Sequence, residues 1–147
     1  MDIVELDALT AEQEADVLKL MAELDPSVPA TAEKVKRAVE APGTHFFAAM
    51  DGDGHIAGCA SLCVFDSPTG RKASVEDVVV GSAFRGRGLG RALMECLIGF
   101  SRTELVDVDL QLTSRPHRTA ANELYRSLGF ERRETNAYKL RINGGSL

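Results

Sequence analysis

Apolar residues recur at helical spacing in some stretches of the chain and alternate with polar residues in others, and this change of spacing marks the predicted elements. Helical spacing predicts a helix over 11–24. Thr10 precedes it as the N-cap, and Gln13, three residues later, completes the pattern of a capping box. Further helices with the same spacing are predicted over 31–40, 88–101 and 119–128. The pattern therefore predicts four helices.

Strands are predicted where apolar residues alternate or run together between turn-forming residues. The run Asp51-Gly52-Asp53-Gly54 predicts a hairpin turn between two of them. The predicted strands cover 2–6, 44–50, 55–64, 71–80, 106–113 and 135–142. With the helices they give the order β-α-α-β-β-β-α-β-α-β, which predicts an α/β fold with helices packed on a mixed sheet.

The length of 147 residues fits one domain, since single domains run to roughly 100–200 residues. We therefore expect a single domain over 1–147. The composition, 44% hydrophobic and 27% charged, is that of a globular protein. No apolar run approaches the roughly 18–20 residues of a membrane-spanning helix, and the N-terminus lacks the pattern of a signal peptide. These features predict a cytoplasmic protein that does not bind membranes.

Three cysteines are present, Cys59, Cys63 and Cys96, and they form no Cys-x-x-Cys pair and have no histidine pair nearby. This spacing excludes a disulfide framework and argues against a structural zinc site. We therefore expect reduced thiols and no bound metal.

The net charge of −5 conceals an asymmetry between the two halves of the chain. Residues 1–70 carry 13 acidic and 4 basic side chains, whereas residues 71–147 carry 9 acidic and 13 basic ones. Twelve of the 17 basic residues are arginine, whose guanidinium group matches phosphate geometry. Because aromatic residues are scarce and no polybasic tail is present, a small phosphate-bearing ligand is favoured over nucleic acid.

The most informative segment follows the apolar strand end at Val78, Val79 and Val80, where an Arg-x-x-Gly-x-Gly pattern opens an amphipathic helix. Glycines let backbone N–H groups approach a ligand, and a helix N-terminus directs N–H donors at an anion. A Walker loop is excluded because the Gly-Lys-Ser/Thr ending is missing, and the spacing of a dinucleotide fingerprint is not met. The segment therefore predicts a pyrophosphate cradle made of Arg85, Gly86, Arg87, Gly88, Leu89, Gly90 and Arg91.

This segment resembles the acetyl-coenzyme A signature of the GNAT superfamily of N-acetyltransferases. A second block, from Ala120 through Tyr125 to Gly129 and Phe130, is similar to the family's A-x-x-L-Y-x-x-x-G-F block. The resemblance implies a GNAT-like, mostly antiparallel mixed sheet with helices on both faces, and acetyl-CoA as cosubstrate. It also implies that residues 78 and 80 pair their backbone with the pantetheine arm and that Asn122 hydrogen-bonds the same arm.

Tyr125 is the candidate general acid, because the family's matching tyrosine lies next to the cofactor sulfur. After an amine attacks the thioester, the departing thiolate needs a proton, and a phenol with a pKa near about 10 is a suitable donor. The alternative is a tyrosine that only packs its ring.

Glu76 and Asp77 are the second candidate site, since they interrupt a strand of otherwise apolar residues. A carboxylate there is costly unless it is paired, hydrated or used. Either residue is a candidate for relaying a proton from an ammonium substrate or for binding that substrate. Because adjacent strand residues point to opposite faces, the two are not expected to form a close dyad. A structural salt bridge is the alternative.

The predicted function is therefore transfer of acetyl from acetyl-CoA to a small-molecule or peptide amine by direct attack. A ternary complex is favoured because no cysteine lies beside either motif as an acyl carrier. The alternative from another class is a non-catalytic acyl-CoA-binding sensor, which would need neither Tyr125 nor the carboxylates. The acceptor, dimerisation and the role of the basic loop over 114–118 stay open.

Overall fold

A five-stranded sheet forms the centre of the first of two units into which the chain divides, Met1–Thr113 and Ser114–Leu147. The structure, a computed structural model, describes residues 1–144. The strands are β1 (Asp2–Leu6), β2 (Thr44–Met50), β3 (Ile56–Ser67), β4 (Gly70–Val80) and β5 (Asp109–Gln111), and they lie in that order. All neighbours are antiparallel except β4 and β5, which are parallel. The predicted mixed, mostly antiparallel sheet is confirmed.

Helices cover both faces of this sheet. The first unit contains α1 (Ala11–Leu24), α2 (Ala32–Glu40) and α3 (Leu89–Phe100). The first two pack on the face that carries Phe46, where Val17, Leu20, Val35 and Val39 belong to the same buried cluster. Phe47, the next residue along β2, contacts Phe100 of α3 edge to face at 5.6 Å. Because neighbouring strand residues point to opposite faces, α3 lies on the other side of the sheet.

The start of α1 confirms the predicted capping box. The Gln13 N–H donates to Thr10 Oγ1 at 3.1 Å, and the Thr10 N–H donates to Gln13 Oε1 at 3.0 Å. These reciprocal bonds satisfy two N–H groups that a helix start otherwise leaves without partners.

The fifth strand is shorter than the predicted 106–113, because the chain before it takes another form. A π-helical turn, Ser101–Leu105, continues from the end of α3. Val106 then adopts φ 65° and ψ −74°, and the Asp107 N–H donates to Leu105 O at 2.8 Å. This is a γ-turn with positive φ, a rare and strained conformation for a β-branched residue.

The second unit contains α4 (Thr119–Ser127), and after it the predicted strand over 135–142 is wrong. Within residues 1–144, no strand follows Gln111. Tyr138, Leu140 and Ile142 alternate as a strand requires, yet they are 74–89% exposed. Alternation alone does not make a segment a strand, because the backbone must also form hydrogen bonds with a neighbouring strand. No helix within residues 1–144 is long and apolar enough to cross a membrane.

The strained γ-turn predicts that Val106→Gly stabilises the protein. Val106 is 76% exposed, so the substitution loses little packing and releases backbone strain. Strain of this kind costs of order 1–3 kcal/mol. Glycine also adds entropy to the unfolded chain, which cancels about 0.5–1 kcal/mol of the gain in stability. We therefore expect the free energy of unfolding, measured by urea denaturation, to rise by about 1 kcal/mol.

Val28→Gly is the matched control, because Val28 is also exposed but does not have a positive φ. It should destabilise the protein by about 0.4–1 kcal/mol through the unfolded state alone. Equal destabilisation by both substitutions would contradict the assignment of strain to Val106.

Candidate active site

The backbone edge of β4 is open beyond Ser74 on the side that faces β5. The pairing of β4 with β5 covers only Lys72, Ala73 and Ser74, because β5 ends at Gln111. On the other side, β4 stays paired with β3 as far as Val80. Within the described residues of this unit, the second half of β4 therefore has one unpaired edge, whose N–H and C=O groups need another partner.

Val80 turns its polar backbone groups away from β3. The Gly81 N–H donates to Ala57 O at 2.8 Å, so backbone alternation turns the groups of Val80 toward the open edge, where its carbonyl oxygen accepts from Arg85 Nε. Val79 pairs with Cys59 and is buried, and Val78 lies in the irregular stretch between Glu76 and Val79. The backbone role that the family resemblance implies for positions 78 and 80 stays a prediction.

A β-bulge lies in β4 at the two candidate carboxylates. Glu76 pairs with Ser61 and Val79 with Cys59, so Asp77 and Val78 together lie opposite one residue of β3. Asp77 has a φ of 52°, one of two positive values among the described non-glycine residues. A bulge of this kind bends the strand and redirects its side chains.

The bulge removes the regular alternation on which the expectation that Glu76 and Asp77 point to opposite faces was based. The charge of Glu76 raises the pKa of Asp77, and the charges of both residues raise the pKa of Cys63. Strict alternation holds only for a regular strand, and the bulge breaks it between these residues. The two carboxylates are therefore electrostatically coupled, and the expectation that they do not form a close dyad stays a prediction.

The two carboxylates differ in their surroundings. The Ser74 hydroxyl donates to Glu76 Oε1 at 2.6 Å and fixes that side chain along the strand. Desolvation of the Asp77 carboxyl is the larger cause that raises its pKa, and the Glu76 charge adds to it. Asp77 therefore holds a proton more readily than an ordinary aspartate.

Two cysteines lie closer to this site than their sequence positions suggest. Cys59 pairs with Val79 and Cys63 with Ser74 across the β3–β4 ladder. Burial raises the pKa of Cys59 to about 12, and desolvation also raises the pKa of Cys63. Both thiols therefore stay protonated at neutral pH and are weak nucleophiles. The sequence missed this proximity because the register of the ladder is not visible in it.

The glycine–arginine loop, residues 81–91, leads from β4 into α3. Gly86 and Gly88 have φ of 80° and 75°, and a Cβ at either position would meet no atom within 4 Å. Gly88 is the N-cap of α3 and contributes no side-chain cap. The first N–H groups of the helix therefore have no side-chain cap from Gly88, and they lie at the positive end of the helix dipole. The open space at Gly86 and Gly88 fits the predicted pyrophosphate cradle.

Three arginines surround that space. Arg85 donates from Nε to Val80 O at 3.2 Å, which ties the loop to the end of β4. The Arg87 guanidinium carbon lies 5.6 Å from the ring centre of Phe84, a cation–π contact. Arg91 forms an exposed ion pair with Glu95 at 3.5 Å. All three side chains are exposed, so their charges are available to an anion in solution.

In the second unit, a Schellman motif fixes Tyr125 near the end of α4. The Phe130 N–H donates to Tyr125 O at 3.0 Å, and the Gly129 N–H donates to Arg126 O at 3.0 Å, with Gly129 at φ 99°. The motif brings the Phe130 ring to 6.1 Å from the Tyr125 ring. Tyr125 is 7% exposed, and burial raises the pKa of its phenol, which Arg118 partly offsets. The phenol is therefore protonated at neutral pH.

Asn122, one turn before Tyr125 on α4, uses its amide nitrogen within the second unit. Nδ2 donates to Arg115 O at 3.0 Å and to Arg118 O at 2.9 Å, and these bonds hold the basic loop against the helix. The nearby Ser114 Oγ is buried and has no hydrogen-bond partner in the described part of the chain. The Asn122 NH₂ group thus bonds two backbone carbonyls of its own unit. A hydrogen bond from Asn122 to a ligand stays a prediction.

The structure groups the predicted residues in two sets. Glu76, Asp77, Val78–Val80 and the glycine–arginine loop follow one another in the first unit, and Asn122 and Tyr125 share α4 in the second. In residues 1–144, no group of three or more His, Cys, Asp or Glu side chains is placed to hold a metal ion.

Comparison with known proteins gives one family and a consistent set of relatives. Residues 9–130 match the acetyltransferase (GNAT) family. The chain is 30% identical over 145 residues to N-alpha-acetyltransferase RimI of Mycobacterium tuberculosis, covering 96% of this chain and 87% of that protein.

Two solved structures have the same fold. An acetyltransferase of Trypanosoma brucei is 25% identical, with a TM-score of 0.68 over 97% of this chain and 99% of the other. The ribosomal-protein-alanine N-acetyltransferase of Brucella melitensis is 19% identical, with a TM-score of 0.74 over 97% of this chain and 100% of the other.

The open cradle at Gly88 predicts that a negative charge there weakens binding of CoA. Asp and Asn both tolerate positive φ and have almost the same shape, so Gly88→Asp and Gly88→Asn differ mainly in charge. A carboxylate at the helix N-terminus occupies the N–H groups and repels a pyrophosphate. Like charges near a protein surface repel by about 1–4 kcal/mol, so Gly88→Asp should bind CoA at least about tenfold more weakly than Gly88→Asn by calorimetry. Equal CoA affinities of the two variants would show that the loop does not bind the pyrophosphate.

Proposed function

Because this chain belongs to the GNAT family of acetyltransferases and is an acetyl-CoA-dependent N-acetyltransferase, we propose that it acetylates the α-amino group of a peptide or protein by direct attack. The observation that carries the binding of acetyl-CoA in this proposal is the open edge of β4, which runs directly into the glycine–arginine loop. An extended arm with amide groups fits an open strand edge, and a pyrophosphate fits a helix N-terminus. Pantetheine and pyrophosphate follow each other in CoA in the same way.

In this proposal the chain holds acetyl-CoA mainly through its backbone, and the bound thioester supplies the acetyl group. Val78 and Val80 are proposed to bond the pantetheine amides with backbone groups at the open edge of β4, and Asn122 stays a predicted hydrogen-bond partner of the same arm. The pyrophosphate is bound by the N–H groups and side chains of residues 85–91. The space above Gly86 and Gly88 supports this assignment, because side chains there would fill the cradle.

Asp77 is the proposed base. A general base works best when its pKa lies near the working pH, and desolvation together with the Glu76 charge moves the pKa of Asp77 in that direction. Glu76, held by Ser74, supplies a second negative charge that attracts an ammonium group. Together they favour a protonated amine as the arriving acceptor and remove its proton before attack.

Tyr125 is the proposed acid, which protonates the departing thiolate of CoA. The phenol is protonated at neutral pH, so its hydroxyl is available as a donor. Direct attack is favoured over an acyl-cysteine intermediate because Cys59 and Cys63 are held as thiols.

The name of the relative from Mycobacterium tuberculosis supports an α-amine as acceptor. A peptide with a free N-terminus should therefore be acetylated faster than the same peptide with a blocked N-terminus and an internal lysine. Release of free thiol from acetyl-CoA measures both rates, with a simple primary amine and an amino-sugar phosphate as further acceptors. Preference for the lysine peptide or the amino sugar would overturn the assignment of the acceptor.

Tyr125→Phe tests the proposed acid, because it removes one oxygen and keeps the ring against Phe130. We expect kcat to fall by about 10²–10⁴ with little change in the acceptor's KM, since the lost interaction exists mainly in the transition state. The thiol-release assay measures the change, and the affinity for CoA serves as control. A wild-type rate with chemistry shown to be rate-limiting would make Tyr125 a packing residue.

The coupling of the two carboxylates predicts a shift in the pH profile. The base must be ionised, so activity falls as the pH drops through the pKa of Asp77. Glu76→Gln removes a charge that raises this pKa, so the acid-side inflection of kcat should move to lower pH. Asp77→Asn should abolish that inflection. The acceptor amine titrates in the same way with every variant, so it does not contribute to differences between their profiles. An unchanged inflection in Asp77→Asn would show that another group is the base.

A further inference from the structure

Helix α1 carries two carboxylates that each hold the backbone of a loop. Asp16 Oδ2 accepts from the Ile56 N–H at 3.0 Å and lies 3.0 Å from His55 Nδ1, at the end of the β2–β3 hairpin. Glu23 accepts from the Ser82 N–H at 3.1 Å and from the Ser82 hydroxyl at 3.0 Å. Seven residues are about two helical turns, so both carboxylates lie on one face of α1.

A cavity of about 260 Å³ lies between these two anchors. Its walls include Asp16, Lys19 and Glu23 from α1, the hairpin end, and the turn from Gly81 to Phe84. Gly81 touches α1 closely, since a Cβ on it would come within 3.3 Å of Leu20 Cδ2. Beyond that contact the cavity leaves a gap, so the hydrogen bonds of Glu23, rather than close packing, hold Ser82 to the helix.

The position of Ser82 is transmitted to the glycine–arginine loop through one short turn. Ser82–Phe84 is a 3₁₀ turn closed by the bond from the Phe84 N–H to Gly81 O at 2.8 Å. The ring of Phe84 lies under the Arg87 guanidinium group. Fixing Ser82 therefore fixes Phe84, and Phe84 in turn orients Arg87.

We propose that Glu23 is a positioning residue for the cofactor loop, which it holds through Ser82 in the conformation that binds the pyrophosphate of CoA. This inference rests on the proposed function of that loop. Without Glu23 the loop populates other conformations, and the apparent affinity falls in proportion to the competent fraction.

The direction of the effect separates positioning from simple electrostatics. Glu23 is negatively charged and lies near a site for an anion. If its charge alone mattered, its removal would strengthen CoA binding, because like charges repel. If Glu23 acts by positioning the loop, its removal weakens CoA binding instead.

Calorimetric titration of CoA into Glu23→Ala, Glu23→Gln and Asp16→Ala tests the proposal. Hydrogen bonds to a charged group are worth enough to weaken binding by about tenfold in Glu23→Ala. Glutamine accepts the Ser82 N–H with its oxygen and donates to the Ser82 hydroxyl, so Glu23→Gln should restore most of the affinity. Asp16→Ala is the matched control on the same helix face, and it should lower the melting temperature without changing CoA affinity.

Two further readouts make the result decisive. In Glu23→Ala the KM for acetyl-CoA should rise while kcat at saturation is kept, and hydrogen exchange at the Ser82 amide should accelerate. Unchanged or tighter CoA binding by Glu23→Ala, or equal weakening by Asp16→Ala, would overturn the positioning role. Failure of the wild type to bind CoA would instead overturn the proposed function, so the two failures are distinguishable.

Discussion

The open edge of β4 beyond Ser74 is the constraint on which the candidate active site depends. A strand in the middle of a sheet normally has both edges paired, and unpaired backbone groups need water or a ligand. Here β3 pairs with β4 up to Val80 while β5 ends opposite Ser74. The bulge at Asp77 lies within this half-paired stretch, and the glycine–arginine loop follows it at once. The unpaired edge, the bulge with its two carboxylates and the start of the glycine–arginine loop therefore follow one another along one stretch of β4.

Desolvation raises the pKa of both proposed proton-transfer groups, with different chemical consequences. It raises the pKa of Asp77 toward the working range of a base, and it raises the pKa of the Tyr125 phenol further above neutral pH. The first shift makes the Asp77 carboxylate more basic, whereas the second keeps the Tyr125 hydroxyl protonated. The upward shift therefore strengthens the proposed base, whereas it makes the phenol a weaker acid.

Features that depend on local sequence could be predicted, and features that depend on strand pairing could not. The capping box at Thr10 and Gln13 and the left-handed Gly88 follow from residues within a few positions of one another. The bulge at Asp77 arises from the register with β3, so the sequence alone could not show that regular alternation is interrupted there. The γ-turn at Val106 is contrary to the preference of valine and is imposed by the surrounding chain. The segment after Phe130 has the alternation of a strand but lacks the neighbour that a strand requires.

That last segment also bears on the solubility of the protein. Tyr138, Leu140 and Ile142 are exposed in an unpaired stretch, and such a stretch is a template for pairing between molecules. Lys139 and Arg141 stand between them, and two such segments side by side would bring like charges together. The two basic residues thus oppose self-association of this exposed apolar segment.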